Sequence, residues 1–216
     1  MDAALADSDS AAFSKVITAS IDEHLHSRQI WMYVLEAMHR MASTSVAVVG
    51  LNGLGAEVAK NVILANMQRV LLLDDCATTI SDLSSQFYVS ELDIGRNCAH
   101  ACRQRLQQLN PAVSVTSHHI HYSSLTALLA TCTALVFSHF PLVEAEKLNV
   151  FCRQHSPPVR FIMVQACGLC FRVFSHFGNQ FTYTAVDVMP PTLYVLRRFV
   201  VPQSKSVTIC IFSCPS

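Results

Sequence analysis

An open, doubly wound α/β sheet, mostly parallel, is the fold this sequence predicts, and three observations predict it. Short apolar runs alternate with stretches of helical periodicity from residue 46 to residue 165. The run Val46-Ala-Val-Val49 passes directly into Gly50-Leu-Asn-Gly53-Leu-Gly55-Ala-Glu57, a tight glycine turn that opens a helix. The next strand then ends on Asp74-Asp75, which completes a βαβ unit of the length a right-handed parallel crossover needs.

Residues 1–20, polar and rich in Ala and Ser, read as a flexible leader. From Asp22 a helix is expected, because Ile30, Trp31, Val34, Leu35, Met38 and Met41 recur at three- and four-residue spacing. Ser43-Thr-Ser45 breaks it before strand Val46–Val49. After the turn, a helix from Gly53 to Asn66 carries Val58, Val62, Ile63 and Ala65 on one side, and strand Arg69–Leu73 follows. Asp93-Ile-Gly95 reads as the start of a helix running to Leu109, where Asn110-Pro111 stops it. Strand Val113–Thr116, helix Ser123–Ala130, strand Ala134–Ser138, helix Leu142–Gln154 and strand Val159–Gln165 continue the alternation, with Pro157-Pro158 parting the last two.

Beyond Gly168 the rhythm changes. Leu169–Phe177, Gln180–Thr184, Leu193–Val201 and Ser206–Phe212 are β-rich, with Gly178-Asn179 placed for a hairpin turn. The expected organisation is a leader over 1–20, one α/β domain over 21–178, and a β-rich extension over 179–216 that begins a further, truncated domain.

Composition narrows the function classes. Hydrophobic residues make up 51% and charged ones only 14%, so a sizeable core is available and little surface is charged. Lys+Arg and Asp+Glu balance at 15 each, which leaves no basic field for nucleic acid. The low charge density predicts marginal solubility for the domain parted from a protein that covers it. No segment is long and apolar enough to suggest a membrane span, and nine scattered cysteines without a secretory leader suit a reducing cytoplasmic or nuclear compartment.

The glycine turn carries the first chemical expectation. Free amides and the dipole of a helix N-terminus converge on an anion there, so Gly50, Gly53 and Gly55 are candidate phosphate-binding residues and Asp74 a candidate ribose ligand. The dinucleotide pattern has glycine at its first, third and sixth positions, however, and the third is Asn52. The pocket is therefore expected to be degenerate.

Several motifs in fixed order resemble ubiquitin-activating enzymes. They are His26-Ser-Arg-Gln-Ile30, Leu35-Glu-Ala-Met38, the glycine turn, Ala59-Lys-Asn-Val-Ile-Leu64, Asp82-Leu-Ser-Ser-Gln-Phe87 and Asp93-Ile-Gly-Arg-Asn97. Leu109-Asn110, Val150-Phe-Cys152 and Gly168-Leu169 fit as well, so the resemblance covers roughly residues 20 to 190. It is closest to the N-terminal, inactive adenylation half, with the non-catalytic subunits of SUMO- and NEDD8-activating enzymes as a near alternative. The resemblance implies a Rossmann-like sheet of the ThiF/MoeB adenylation type. It also implies an active half as partner, which holds ATP and magnesium and adenylates the C-terminus of ubiquitin or a ubiquitin-like protein.

Departures from the active halves are specific. Their marker reads Asn-Leu-Asn-Arg-Gln-Phe, and here Ser85 stands in place of the arginine. Their lysine near Cys98 is missing, with only Arg96 close by. Their metal-binding aspartate after the fourth strand is replaced in Ser138-His-Phe-Pro-Leu142, and no carboxylate follows until Glu144. No bound metal or nucleotide is thus expected in this half. In the resembling halves an N-terminal-helix arginine reaches the phosphates held by the partner. The matching residue is Arg28, a candidate arginine finger in trans; read without the resemblance, it is a surface arginine pairing with Asp22 or Glu23.

Two other functions compete. A self-standing sulfur-carrier-type adenylating enzyme would need the missing aspartate and cations. An NAD(P)-binding oxidoreductase would use the same turn, but Asn52 crowds the pyrophosphate path. Among the cysteines, Cys98 and Cys102 lie one helical turn apart and are expected to pack inward, while the aspartates before Cys76 raise its thiol pKa. Cys167-Gly-Leu-Cys170 resembles half a zinc knuckle, but Cys210 and Cys214 give an irregularly spaced second half and the resembling family has no cysteines at Cys167 and Cys170, so no structural zinc is expected. In the His118-His-Ile-His121 run, His119 and His121 are expected on one strand face at the surface.

Overall fold

The computed structural model describes residues 27–119, 125–138, 141–168, 170–177 and 207–209. Helix α1 (Ser27–Ala42) precedes strand β1 (Ser45–Val49), helix α2 (Gly53–Leu64) and strand β2 (Arg69–Asp74). Two single turns of 3₁₀ helix, Asp82–Ser84 and Glu91–Asp93, lead to helix α3 (Cys98–Gln107) and strand β3 (Ser114–His119). The short helix α4 (Leu125–Leu129), strand β4 (Ala134–Phe137), helix α5 (Leu142–Gln154) and strand β5 (Arg160–Cys167) follow. Strands β6 (Cys170–His176) and β7 (Val207–Ile209) close the order.

All seven strands form one sheet in the order β3-β2-β1-β4-β5-β6-β7. The pairs from β3 through β5 are parallel, and β6 and β7 add antiparallel. The strand order reverses at β1, so the crossovers on either side place helices on opposite faces. Side chains alternate accordingly. Val46, Val48, Val70 and Leu72 enter the layer that includes Ala59, Ile63, Cys102 and Leu106 of α2 and α3. Ala47, Val49, Leu71, Leu73, Leu135 and Phe137 enter the layer that includes Leu125, Leu129, Leu148 and Cys152 of α4 and α5. Burial on both faces is why these strands are continuous apolar runs and not alternating ones.

Several element boundaries differ from the expectation, each for a local reason. α1 ends where the Ser43 and Thr44 hydroxyls both donate to the Arg40 carbonyl, at 2.9 and 2.7 Å. Trp31, counted in its apolar stripe, is 87% exposed, whereas Met38 is fully buried. α2 stops at Leu64 and not Asn66, because Asn66 takes a left-handed φ of 63°. α3 begins at Cys98 and not Asp93. Gly95 turns left-handed at φ 84°, and the backbone of 95–98 is hydrogen-bonded to 76–78 instead of to itself. Asn97 then caps the helix by accepting from the His100 amide. α3 ends at Gln107 and not Leu109, as Gln107 Nε2 donates to the carbonyls of Asn110 and Val113.

β3 runs to His119, three residues past Thr116, because its register with β2 continues to Asp74↔His119. α4 is one turn, Leu125–Leu129; Ser123 and Ser124 lie outside the described residues. The expected leader, Gln180–Thr184, Leu193–Val201, Gly178-Asn179 and His121 also lie outside them, as do Cys210 and Cys214. Val207–Ile209 falls within the expected Ser206–Phe212 strand and pairs with β6. No helix among the described residues is long and apolar enough to cross a membrane.

The segment between β2 and α3 is held by Asp93. Its Oδ2 accepts from the Ser90 amide and hydroxyl at 2.9 and 2.7 Å, and Arg96 and Arg105 approach at 3.2 and 3.5 Å. The Ser90 hydroxyl bond, aided by the Ser90 amide and the two guanidinium groups, holds this carboxyl below the usual carboxylate range. A lowered native pKa stabilises the fold above the unfolded value of about 4, and that share is lost as pH falls through the native pKa. Asp93→Asn should therefore cost about 1 kcal/mol at pH 7. In urea unfolding measured across pH, variant and parent should converge below pH ~4; a gap independent of pH would count against this role.

Candidate functional site

The glycine turn sits at the carboxyl edge of the sheet, where β1, β2 and β4 all end. Gly50, at φ 85°, lets the chain leave β1 sharply, and its amide still donates to the Leu73 carbonyl at 2.9 Å. The Leu51 amide donates to Asp74 Oδ2 at 2.5 Å, and the Cys76 amide donates to Asp74 Oδ1 at 2.8 Å. Asp74 is buried, and each of its oxygens already holds a backbone amide. Gln86, also buried, donates through Nε2 to the Leu51 carbonyl.

Asn52 has a structural task in place of the usual glycine. It is the N-cap of α2: its Oδ1 accepts from the Gly55 amide at 2.9 Å, while its Nδ2 donates to the Ser138 carbonyl at 3.0 Å. Ser138 answers with its hydroxyl, which donates to the Gly50 carbonyl at 2.6 Å. Packing here leaves no room for side chains. A Cβ on Gly55 would stand 1.9 Å from the Gly50 carbonyl oxygen and 2.6 Å from Ser138 Oγ. One on Gly53 would stand 2.5 Å from the carbonyl oxygen of Ser85. A carbonyl oxygen thus lies against the first residue of α2, at the positive end of the helix dipole where an anion would otherwise be favoured.

Gly50, Gly53, Gly55 and Asp74 are therefore brought together. Arg28 is not among them. It is exposed in the first turn of α1, and its neighbour Gln29 donates to the Leu64 carbonyl at 3.2 Å, at the opposite end of α2 from the glycine turn. A helix of this length separates the two ends by ~16 Å. Arg96 pairs with Asp93, and Cys98 is buried beside the Thr78 hydroxyl, so burial pushes its thiol up. Asn97 donates to the Asp74 carbonyl at 2.9 Å and lies 2.8 Å from His119 Nδ1. His119 is exposed, at the surface as expected.

Asp74, Asp75 and Cys76 are close enough to share a cation, with ligand atoms within 4.8 Å of one another. The set is poorly suited to one. Both Asp74 oxygens serve amides, and burial together with the Asp74 charge pushes the Cys76 thiol up to about 12, so it keeps its proton at neutral pH. A shallow groove lined by Gln107, Pro111 and Val113 opens beside the start of β3, at the other edge of the sheet, and offers no charged group.

Sequence reasoning missed Gln86 and Ser138 as the braces of the turn. Nothing in periodicity marks them, since their partners lie 35 and 88 residues away. Gly55→Ala should destabilise the chain by about 3 kcal/mol or more, because the obstructing atoms are backbone and cannot swing aside. Thermal unfolding measures this; a parent-like midpoint would mean the turn is not packed this closely.

Comparison with known proteins matches the geometry to a family. The ThiF family model matches residues 26–194. Ubiquitin-activating enzyme E1 2 of Triticum aestivum is 43% identical over 171 residues, which are 79% of this chain and 16% of that protein. Ubiquitin-like modifier-activating enzyme 1 of Rattus norvegicus is 36% identical over 193 residues, 89% of this chain and 18% of that protein. The chain thus spans less than a fifth of the length of these relatives. Among solved structures, E. coli MccB shares the fold with a TM-score of 0.64 at 17% identity, over 72% of this chain and 49% of that one. With a glycine turn opening α2 on a mostly parallel, doubly wound sheet, and a family model matched over most of its length, the chain belongs to the ThiF family.

Proposed function

We propose that this chain is the non-catalytic adenylation half of an assembly that activates ubiquitin or a ubiquitin-like modifier. ATP and magnesium belong to the partner, active half, and this half supplies structure, a contact surface and Arg28. The observation that carries the reading is the close bracing of the glycine turn by the chain's own side chains. Its carbonyls are held by Ser138 and Gln86, Asp74 is engaged by two amides, and the Ser85 carbonyl lies against Gly53. Adenylation places negative charge on phosphates that magnesium and fixed cations must offset. The residues around this turn offer carbonyl oxygens and an aspartate pair instead, which do not suit the phosphates of ATP.

Two further features support a partner. Ile80, Phe87 and Leu92 are 76%, 91% and 90% exposed on the segment between β2 and α3, and exposed apolar side chains gathered on one segment suit a surface that another protein covers. Arg28 is exposed in the first turn of α1, and its neighbour Gln29 bonds to the Leu64 end of α2 and not to the glycine turn, which suits action on a pocket other than its own. A guanidinium brought to phosphates across an interface offsets developing charge without needing to titrate. A cytoplasmic or nuclear compartment fits the scattered cysteine usage of the sequence.

The isolated chain should bind neither ATP nor NAD measurably in calorimetry. Tight ATP binding would favour a self-standing adenylating enzyme, and NAD binding an oxidoreductase. In the assembly purified with its active half, Arg28→Ala should lower modifier–adenylate formation by about tenfold or more, with unchanged thermal unfolding. An unaltered adenylation rate would reduce Arg28 to a surface charge.

A further inference from the structure

β5 and β6 are joined by the shortest kind of hairpin. Cys167 ends β5, Cys170 begins β6, and the two are direct partners on the last rung of the antiparallel ladder. Gly168, which follows Cys167, takes a left-handed φ of 59°, as tight two-residue turns require. Opposed residues of an antiparallel pair put their side chains on the same face, with Cα atoms about 4.5–5.5 Å apart. Disulfides span Cα separations of about 4.4–6.8 Å. The backbone pairing alone therefore holds the two Cα atoms at a separation that a disulfide can span.

Their surroundings set them apart from the other described cysteines. Cys98, Cys102, Cys132 and Cys152 are buried in the two core layers, and burial pushes all four thiols up. Protonated and shielded from solvent, such thiols are inert. Cys76 is exposed but is held protonated by its surroundings. Cys167 and Cys170 are both exposed. β5 last pairs with β4 at Met163, so Cys167 stands ~13 Å past that rung, beyond the sheet's carboxyl edge. Ligands of open α/β sheets bind at that edge.

We propose that Cys167 and Cys170 form a reversible dithiol–disulfide pair that exchanges with low-molecular-weight disulfides. The thiolate of one cysteine attacks a sulfur of the small disulfide, releasing one small thiol and leaving a mixed disulfide on the protein. The second cysteine attacks the protein-side sulfur, closes the Cys167–Cys170 bond and releases the second small thiol. Two protein thiols are oxidised, one small disulfide is reduced to two thiols, and both protons leave with them. A bridge over so short a loop adds little chain-entropy stabilisation, and exposed bridges of this kind are the readily reduced ones. The bond stiffens a hairpin tip on the carboxyl edge, and it does so independently of any partner half.

Oxidised glutathione added to the reduced full chain tests this, read by peptide mapping under non-reducing conditions. One peptide with an internal Cys167–Cys170 bond, lighter by two hydrogens and restored by dithiothreitol, is the expected product. Cys170→Ser treated alike should keep a stable glutathione adduct on Cys167, with far-ultraviolet dichroism unchanged. Glutathione adducts on both cysteines of the parent chain, or both thiols left reduced, would overturn the proposal. Protection of both thiols by added zinc would overturn it too, assigning the pair to a metal site.

Discussion

Gly55 lies so close to the Gly50 carbonyl that one added carbon would stand 1.9 Å from it. That approach is what lets α2 start directly above the end of β1, and much else is arranged around it. Asn52 caps the helix and ties it to Ser138 at the end of β4, while Asp74 at the end of β2 holds the Leu51 amide. Three strand ends are joined at one point, across the reversal in strand order. From there the two crossovers diverge to opposite faces, and the two apolar layers follow from that divergence.

The contacts that secure the turn engage its carbonyls. In a nucleotide-binding turn of this fold, amides and the helix dipole must remain open to an anion. Here a serine hydroxyl and a glutamine amide satisfy the Gly50 and Leu51 carbonyls, the Asn52 amide donates to the Ser138 carbonyl, and the Ser85 carbonyl faces the helix start. Each bond adds modestly to stability, and together they make the turn a structural joint.

Much of the fold was legible from residue 46 to residue 167, because strands buried on both faces read as unbroken apolar runs. β1, β2 and β4 match the expected runs to within a residue for that reason. The helix expected from Asp93 was illegible in its start. Local sequence around Asp93-Ile-Gly95 suits a helix N-terminus, but the backbone of 95–98 bonds to 76–78, a long-range pairing that local propensity does not contain. Trp31 misled in the opposite sense, since spacing alone does not say which side of α1 is covered. Of the site, the glycines and Asp74 were legible as a group, whereas Gln86 and Ser138 were not, because a brace is defined by what it touches.

By itself the sequence determined the layered α/β architecture, the parallel order of its strands and the position of the turn, since apolar runs and glycines act locally and with short periods. Only the tertiary structure decided how the turn is braced. Whether a glycine turn stays open to an anion or closes on its own chain depends on residues far apart in sequence. Ser138 and Gln86 brace the Gly50 and Leu51 carbonyls and the Ser85 carbonyl lies against Gly53, contacts set by packing at the meeting of three strand ends.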